Sequence, residues 1–220
     1  MNYQVVSSQR TGSTVLNDYA LVYHDRLGFN ELFLDKPNPI TALFLKDYST
    51  EEKFEFLEYY KSEDVHFTLK IFPHRIIKQG YEQRLFDYLK GYDILTIERN
   101  PWDVFLSISY QDQCNWKSPH RHPDAKEFVE LNWFEINTSN IKQFCEKWHT
   151  DLNFINRLTL HHTFKFKELT EYNLQKFFNN KHTSALKPVG LDYKSLATNY
   201  TKAKEIFDYE MYGSRNRDYD

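Results

Sequence analysis

The segment running from Tyr3 to Tyr23 constrains this chain most, because it changes period abruptly across a short polar stretch. Tyr3 to Ser8 is a brief apolar run, strongest at Val5 and Val6, that stops at Ser7 and Ser8 and is followed by Gly12. From Thr14 the apolar residues Val15, Leu16, Tyr19, Ala20 and Tyr23 recur at helical spacing. A buried strand, a tight loop and a helix that opens directly from it are therefore predicted in that order.

The same alternation continues along the chain. Ser49 and Glu52 form a capping-box pair ahead of a helical pattern through Phe54, Leu57 and Tyr60. His66 to Phe72 reads as a strand, since Val65, Phe67, Leu69 and Ile71 alternate with more polar neighbours. A helix from about Tyr81 to Lys90 is closed by Gly91, and Asp93 to Glu98 is the next strand. Asn100 suits an N-cap, Pro101 the first helical position and Asp103 the first turn, so a helix begins there and extends to about Gln111.

Beyond that point, Cys114 to Asp124 reads as a surface loop. A long helix is predicted from about Ser139 to Leu160, with Ile141, Phe144, Cys145, Trp148, Leu152 and Ile155 on its apolar side. Thr163 to Phe166 is the candidate last strand, followed by helices near Thr170 to Asn179 and Tyr200 to Tyr212, with a turn at Lys187, Pro188 and Gly190 between them. Gly213 to Asp220 reads as a polar, frayed end. Strands alternating with helices predict a three-layer α/β fold, a mostly parallel central sheet flanked by helices, with ligands bound beyond the carboxyl ends of the strands. Length favours one domain over residues 1 to 220.

Two strand ends carry unusual chemistry. In Ser7, Ser8, Gln9, Arg10, Thr11, Gly12, Ser13 and Thr14, the backbone N–H groups can converge on an anion at the helix start. Gly12 permits close approach and the hydroxyls add donors. The stretch lacks the second Gly and the Lys of a Walker loop, so Arg10 must carry the positive charge. Its plain alternative is a polar turn that caps the helix. The second strand end is Arg99, with Ser107 eight residues on, a pair able to grip one anion through a planar fork and a hydroxyl. Its plain alternative is a capped helix with Arg99 paired to Asp103.

Taken together, SSQRTGST resembles the 5′-phosphosulfate loop of sulfotransferases that use 3′-phosphoadenosine 5′-phosphosulfate (PAPS), and RNPWDVFLS resembles their 3′-phosphate motif. FKFKELT is similar to the family's strand followed by an acidic-Leu helix start. The resemblance implies a P-loop-like sulfotransferase fold. It also implies that Ser8, Gln9, Arg10, Thr11, Gly12, Ser13 and Thr14 hold the 5′ end of PAPS, and that Arg99 and Ser107 hold the 3′-phosphate. Many cytosolic members carry Lys where Arg10 stands, and Arg occurs in other branches, so the resemblance is to the bacterial or carbohydrate-type branch rather than the cytosolic type.

For catalysis the resemblance implies Arg10 as the group that steadies charge on the bridging oxygen. Two residues compete to accept the acceptor's proton: Glu31 in GFNELF, the first choice, and His74 in LKIFPHR, four residues beyond Lys70. Lys70 itself could assist the transferring group or merely flank a strand. No metal is obligatory for such a transfer. The acceptor would be a hydroxyl or amine of an unidentified small molecule, glycan or lipid, and Trp102, Trp116 and Trp133 could stack on a sugar, with buried packing as the plain alternative for at least two of them. Rival readings are a small-molecule kinase using ATP and magnesium, and an inactive nucleotide-binding protein of the same fold.

Composition narrows the partners. A net charge of −3 provides no global basic field, which argues against nucleic acid. Cys114 and Cys145 are too few and too isolated for a disulfide framework, and His120 and His122 near Cys114 lack finger-like spacing for zinc. No apolar run of membrane-spanning length and no leader pattern occurs, so a cytoplasmic protein is expected.

Overall fold

The computed structural model describes residues 1–25, 27–29, 31–33, 45, 47–113, 133–184 and 192–213. The readings made for Asn30, Cys114 to Asp124, Trp116, Lys187, Pro188 and Gly190, and Ser214 to Asp220, lie outside the described residues. The chain forms two compact units, one from Met1–Glu98 and Thr150–Pro188, the other from Arg99–His149 and Val189–Asp220.

The first unit holds five strands: β1 (Tyr3–Val6), β2 (Gly28–Phe29), β3 (Thr68–Ile71), β4 (Asp93–Glu98) and β5 (Leu160–Lys165). Their spatial order is β2-β3-β1-β4-β5, and every pairing is parallel. Around them lie α1 (Ser13–Tyr23), α2 (Thr50–Ser62), α3 (Pro73–Ile77), α4 (Glu82–Leu89) and α7 (Glu171–Phe178). The α/β architecture with a parallel sheet flanked by helices is thus as the alternation of patterns predicts.

Strand pleating explains the three layers. Val6, Leu69, Ile71 and Ile94 point to one face, where they pack with Phe54 and Leu57 of α2, Ile76 of α3 and Leu85, Tyr88 and Leu89 of α4. Tyr3, Val5, Leu95, Ile97 and Phe164 point to the other face, against Val15, Leu16, Tyr19 and Ala20 of α1 and Leu174 and Phe178 of α7. Each Val, Leu, Ile or Phe among them contributes roughly 1.5–3 kcal/mol by leaving water. Because neighbouring residues serve opposite faces, a one-residue slip of β1 would exchange both cores.

The second unit contains α5 (Pro101–Gln113), most of α6 (Ile141–Ile155), α8 (Tyr193–Leu196) and α9 (Tyr200–Tyr212). Its core is aromatic: Trp102, Phe105, Tyr110, Phe134, Tyr193 and Phe207 are all buried. The Trp102 indole donates to the Tyr200 hydroxyl at 3.0 Å, so a buried polar group is satisfied.

Several sequence expectations change in detail. The last strand spans Leu160–Lys165 rather than Thr163 to Phe166, and Phe166–Glu168 is a 3-10 turn. The cause is pairing with β4, which holds Leu160, His162 and Thr163 in register although His162 and Thr163 are exposed, with His161 at a register shift between them. The long helix ends at Ile155 rather than Leu160. Its expected apolar stripe is also rotated at one position: Leu152 is exposed, and the buried residue beside it is Asp151. Helix α3, which carries His74, falls between the expected strand ending at Phe72 and the expected helix from Tyr81, where no element is predicted.

Candidate functional site

The loop after β1 is built by backbone conformations that suit few residues. Arg10 has φ 60° and Gly12 φ 94°, both left-handed. A Cβ at position 12 would lie 2.5 Å from Leu169 Cδ1 and 3.3 Å from the Phe166 ring. Gly12 is therefore required twice, once by its backbone angle and once by packing against the turn after β5.

Gly12 is also the N-cap of α1, and no side chain caps this helix. The Gly12 carbonyl accepts from Val15 and Leu16, which start the helical ladder. The N–H groups of Thr11, Gly12, Ser13 and Thr14 find no backbone acceptor among the described residues, and the first turn of α1 carries no acidic residue. The hydroxyls that would serve a plain capping turn are engaged elsewhere: Thr11 Oγ1 donates to the Ser8 carbonyl at 2.9 Å, and Ser8 Oγ donates to Asp151 at 2.7 Å. The positive end of the α1 dipole and its open N–H groups therefore face the loop.

Three cations of this unit gather there. Lys70, at the tip of β3 beside β1, has a side chain only 3% exposed, and its Nζ donates to Thr14 Oγ1 at 2.8 Å. Burial pushes the Lys70 ammonium below the usual lysine value; Glu31 opposes this, while the charges of Arg75 and Arg10 push the same way. Glu31 Oε1 lies 2.6 Å from Lys70 Nζ, and Glu31 Oε2 lies 4.0 Å from Arg75. With its amide oriented so that the oxygen faces the guanidinium, Gln9 accepts from Arg75 Nε at 3.2 Å.

His74 belongs to the same unit. Asp151, 1% exposed, accepts from the His74 backbone N–H at 2.7 Å and lies 2.9 and 3.0 Å from His74 Nδ1. Arg10, Glu31, Lys70 and His74 thus all belong to the unit that carries the loop.

Arg99 and Ser107 are in the second unit. Asn100 Oδ1 accepts from the Trp102 N–H at 2.9 Å, so Asn100 caps α5 as its position predicts. Burial lowers the Arg99 guanidinium below its usual value, and Tyr193 and Asp103 oppose that shift. Ser107 is buried, and its Oγ accepts from the Tyr193 hydroxyl at 3.3 Å. Trp102 is buried in the aromatic core, which removes it as a sugar platform, whereas Trp133 is 64% exposed.

Sequence reasoning missed Asp151, Arg75 and Tyr193. Asp151 lies 143 residues from Ser8, within a helix whose stripe allowed either position 151 or 152, and the apolar choice was Leu152. Arg75 follows His74 directly, but its place beside Glu31 depends on α3. Among the described residues no group of three or more His, Cys, Asp or Glu is placed to hold a metal ion, and no helix is long and apolar enough to cross a membrane.

A solved structure follows a similar course. It is the crystal structure of a sulfotransferase from Alicyclobacillus acidocaldarius, 14% identical over 96% of this chain and 95% of that chain, with a TM-score of 0.44. No family model matches this chain, and no curated protein does. The functional reading accordingly rests on the residues themselves.

Proposed function

We propose that residues 1 to 220 act as one PAPS-dependent sulfotransferase, moving a sulfuryl group to a hydroxyl or amine of a small-molecule, carbohydrate or lipid acceptor. The observation that carries this reading is the open N-terminus of α1, uncapped and free of acidic residues in its first turn, with Lys70 bonded to Thr14 beside it. The mutual repulsion of Lys70, Arg10 and Arg75 is relieved by an anion of more than one charge. The resemblance of SSQRTGST and RNPWDVFLS to the two cofactor motifs supplies the class of anion.

When bound, PAPS supplies the activated sulfuryl group and a good leaving phosphate. Ser8 to Thr14 would hold its 5′ end, with the N–H groups of α1 as donors. Arg99 and Ser107 would bind the 3′-phosphate, the Tyr193 hydroxyl fixing the Ser107 rotor. Arg10 and Lys70 would steady the charge that develops on the bridging and sulfuryl oxygens. Glu31 and His74 then take different tasks. The Glu31 carboxylate is committed to Lys70 and Arg75 and holds that ammonium in place, while the His74 ring is held by Asp151 on one side only. We assign proton acceptance to His74. The chemistry as proposed asks for no metal, and a cytoplasmic setting suits the free, buried thiol of Cys145.

Calorimetry tests this directly. The protein should bind 3′,5′-ADP without magnesium at least tenfold more tightly than ATP with magnesium. Tighter binding of magnesium ATP would make the chain a kinase of similar fold, and binding of neither nucleotide would remove the reading.

A further inference from the structure

We propose that Asp151 is a positioning residue that sets which nitrogen of His74 carries the proton and ties His74 to the anion loop. Only the chemistry that His74 then performs rests on the transfer reading above.

Asp151 is almost wholly buried, and a buried carboxylate persists only where hydrogen bonds satisfy it. Its partners are Ser8 Oγ at 2.7 Å, the His74 N–H at 2.7 Å and His74 Nδ1 at 2.9 Å. These come from the segments that follow β1 and β3, which are adjacent strands, so one side chain from α6 joins the two segments. A carboxylate can only accept. His74 Nδ1 must therefore carry a proton, and in the neutral ring the lone pair then lies on Nε2. Among the described residues Nε2 has no hydrogen-bond partner, and the ring, lying against Phe72 with 6.5 Å between centroids, is 12% exposed.

This arrangement prepares His74 for one task. Nε2 takes the hydroxyl proton of the acceptor while the acceptor oxygen bonds to sulfur. The bond from sulfur to the bridging phosphate oxygen breaks, its electron pair staying on 3′,5′-ADP, and His74 leaves the step as the imidazolium paired with Asp151. Because the same carboxylate holds Ser8, the loop and the base keep one register.

Asp151→Asn separates positioning from simple packing. The His74 backbone N–H can only donate, so it claims the amide oxygen and leaves the amide NH2 toward Nδ1, which selects the opposite tautomer. Nitrogen NMR of the histidine rings between pH 6 and 9 should show Nδ1 protonated and Nε2 bare in the natural protein at the upper end, and the reverse in Asp151→Asn. Release of sulfate from PAPS with water as acceptor should fall about 10²- to 10⁴-fold in Asp151→Asn and in His74→Gln. The double variant should be no slower than either single one.

Protonated Nε2, or a ring still doubly protonated at pH 9 in the natural protein, overturns the proposal whether or not Asp151→Asn folds. So does unchanged sulfate release in His74→Gln. If the natural protein neither binds 3′,5′-ADP nor releases sulfate while the tautomers behave as stated, the transfer reading fails and the positioning role stands.

Discussion

Helices α1 and α2 belong to the same unit and begin in opposite ways. Helix α2 closes its own start: Ser49 accepts from the Glu52 N–H, the Glu52 carboxylate accepts from the Ser49 N–H at 2.7 Å, and Glu51 and Glu52 place negative charge in the first turn. Helix α1 has a glycine where α2 has its serine, and no acidic residue in its first turn. An end that satisfies itself has nothing to offer a ligand, whereas an end left open beside a buried lysine is arranged for an anion. Polar loops of similar composition can thus differ entirely in what they are for.

The sharpest way to break this contrast is to close the open end. Gly12→Ala puts an L side chain at φ 94° and a methyl 2.5 Å from Leu169, so it should destabilise the protein by about 2–4 kcal/mol in urea unfolding. In calorimetry it should abolish 3′,5′-ADP binding; retained affinity would mean the α1 terminus is not the anion cradle. Next in size is Arg99→Ala. It removes a charged hydrogen bond worth about 1.5–3 kcal/mol, a 10- to 150-fold loss in 3′,5′-ADP affinity, and unchanged affinity would strip Arg99 of the 3′-phosphate.

Ser49→Ala sharpens the contrast from the closed side. Loss of the cap should cost about 1 kcal/mol of stability while 3′,5′-ADP affinity stays the same. The smallest effect is expected at the other end of α1, where His24 is the C-cap and its Nε2 accepts the Tyr3 N–H at 3.1 Å. Burial, helped by the positive N-terminus and His66, lowers the His24 value, so the folded state favours the neutral ring. The unfolded chain then binds more protons as pH falls below about 6.5. Stability is full above that value and declines as pH drops through it toward the lowered folded value. His24→Gln can accept the same N–H without titrating, and its midpoint temperature should fall less between pH 7.5 and 5.5 than that of the natural protein.

Much of the fold was legible because its signals are local. The capping box at Ser49, the Asn100 cap and the apolar period of α9 each depend on residues within a turn or two, and the structure reproduces them. Elements held by distant partners were harder to read. Strand β2 has two residues, paired to β3, and β5 exposes His161, His162 and Thr163 in succession, so neither displays an apolar period over its whole length. In the site, the loop and its hydroxyls announced themselves through composition and position. Asp151 did not, since an acidic residue in a helix is ordinarily read as solvent-facing.

The sequence by itself determined that strands alternate with helices, that a polar loop with one glycine follows the first strand, and that Arg99 and Ser107 flank a helix start. Periodicity and capping decide those features within a few residues of chain. Only the tertiary structure decided that Gly12 lies against Leu169, that Lys70 reaches Thr14 while held by Glu31, and that Asp151 joins Ser8 to His74. Such contacts bring together groups far apart in the chain. Their strength comes from burial and exact partnering, quantities that exist only once the sheet has assembled.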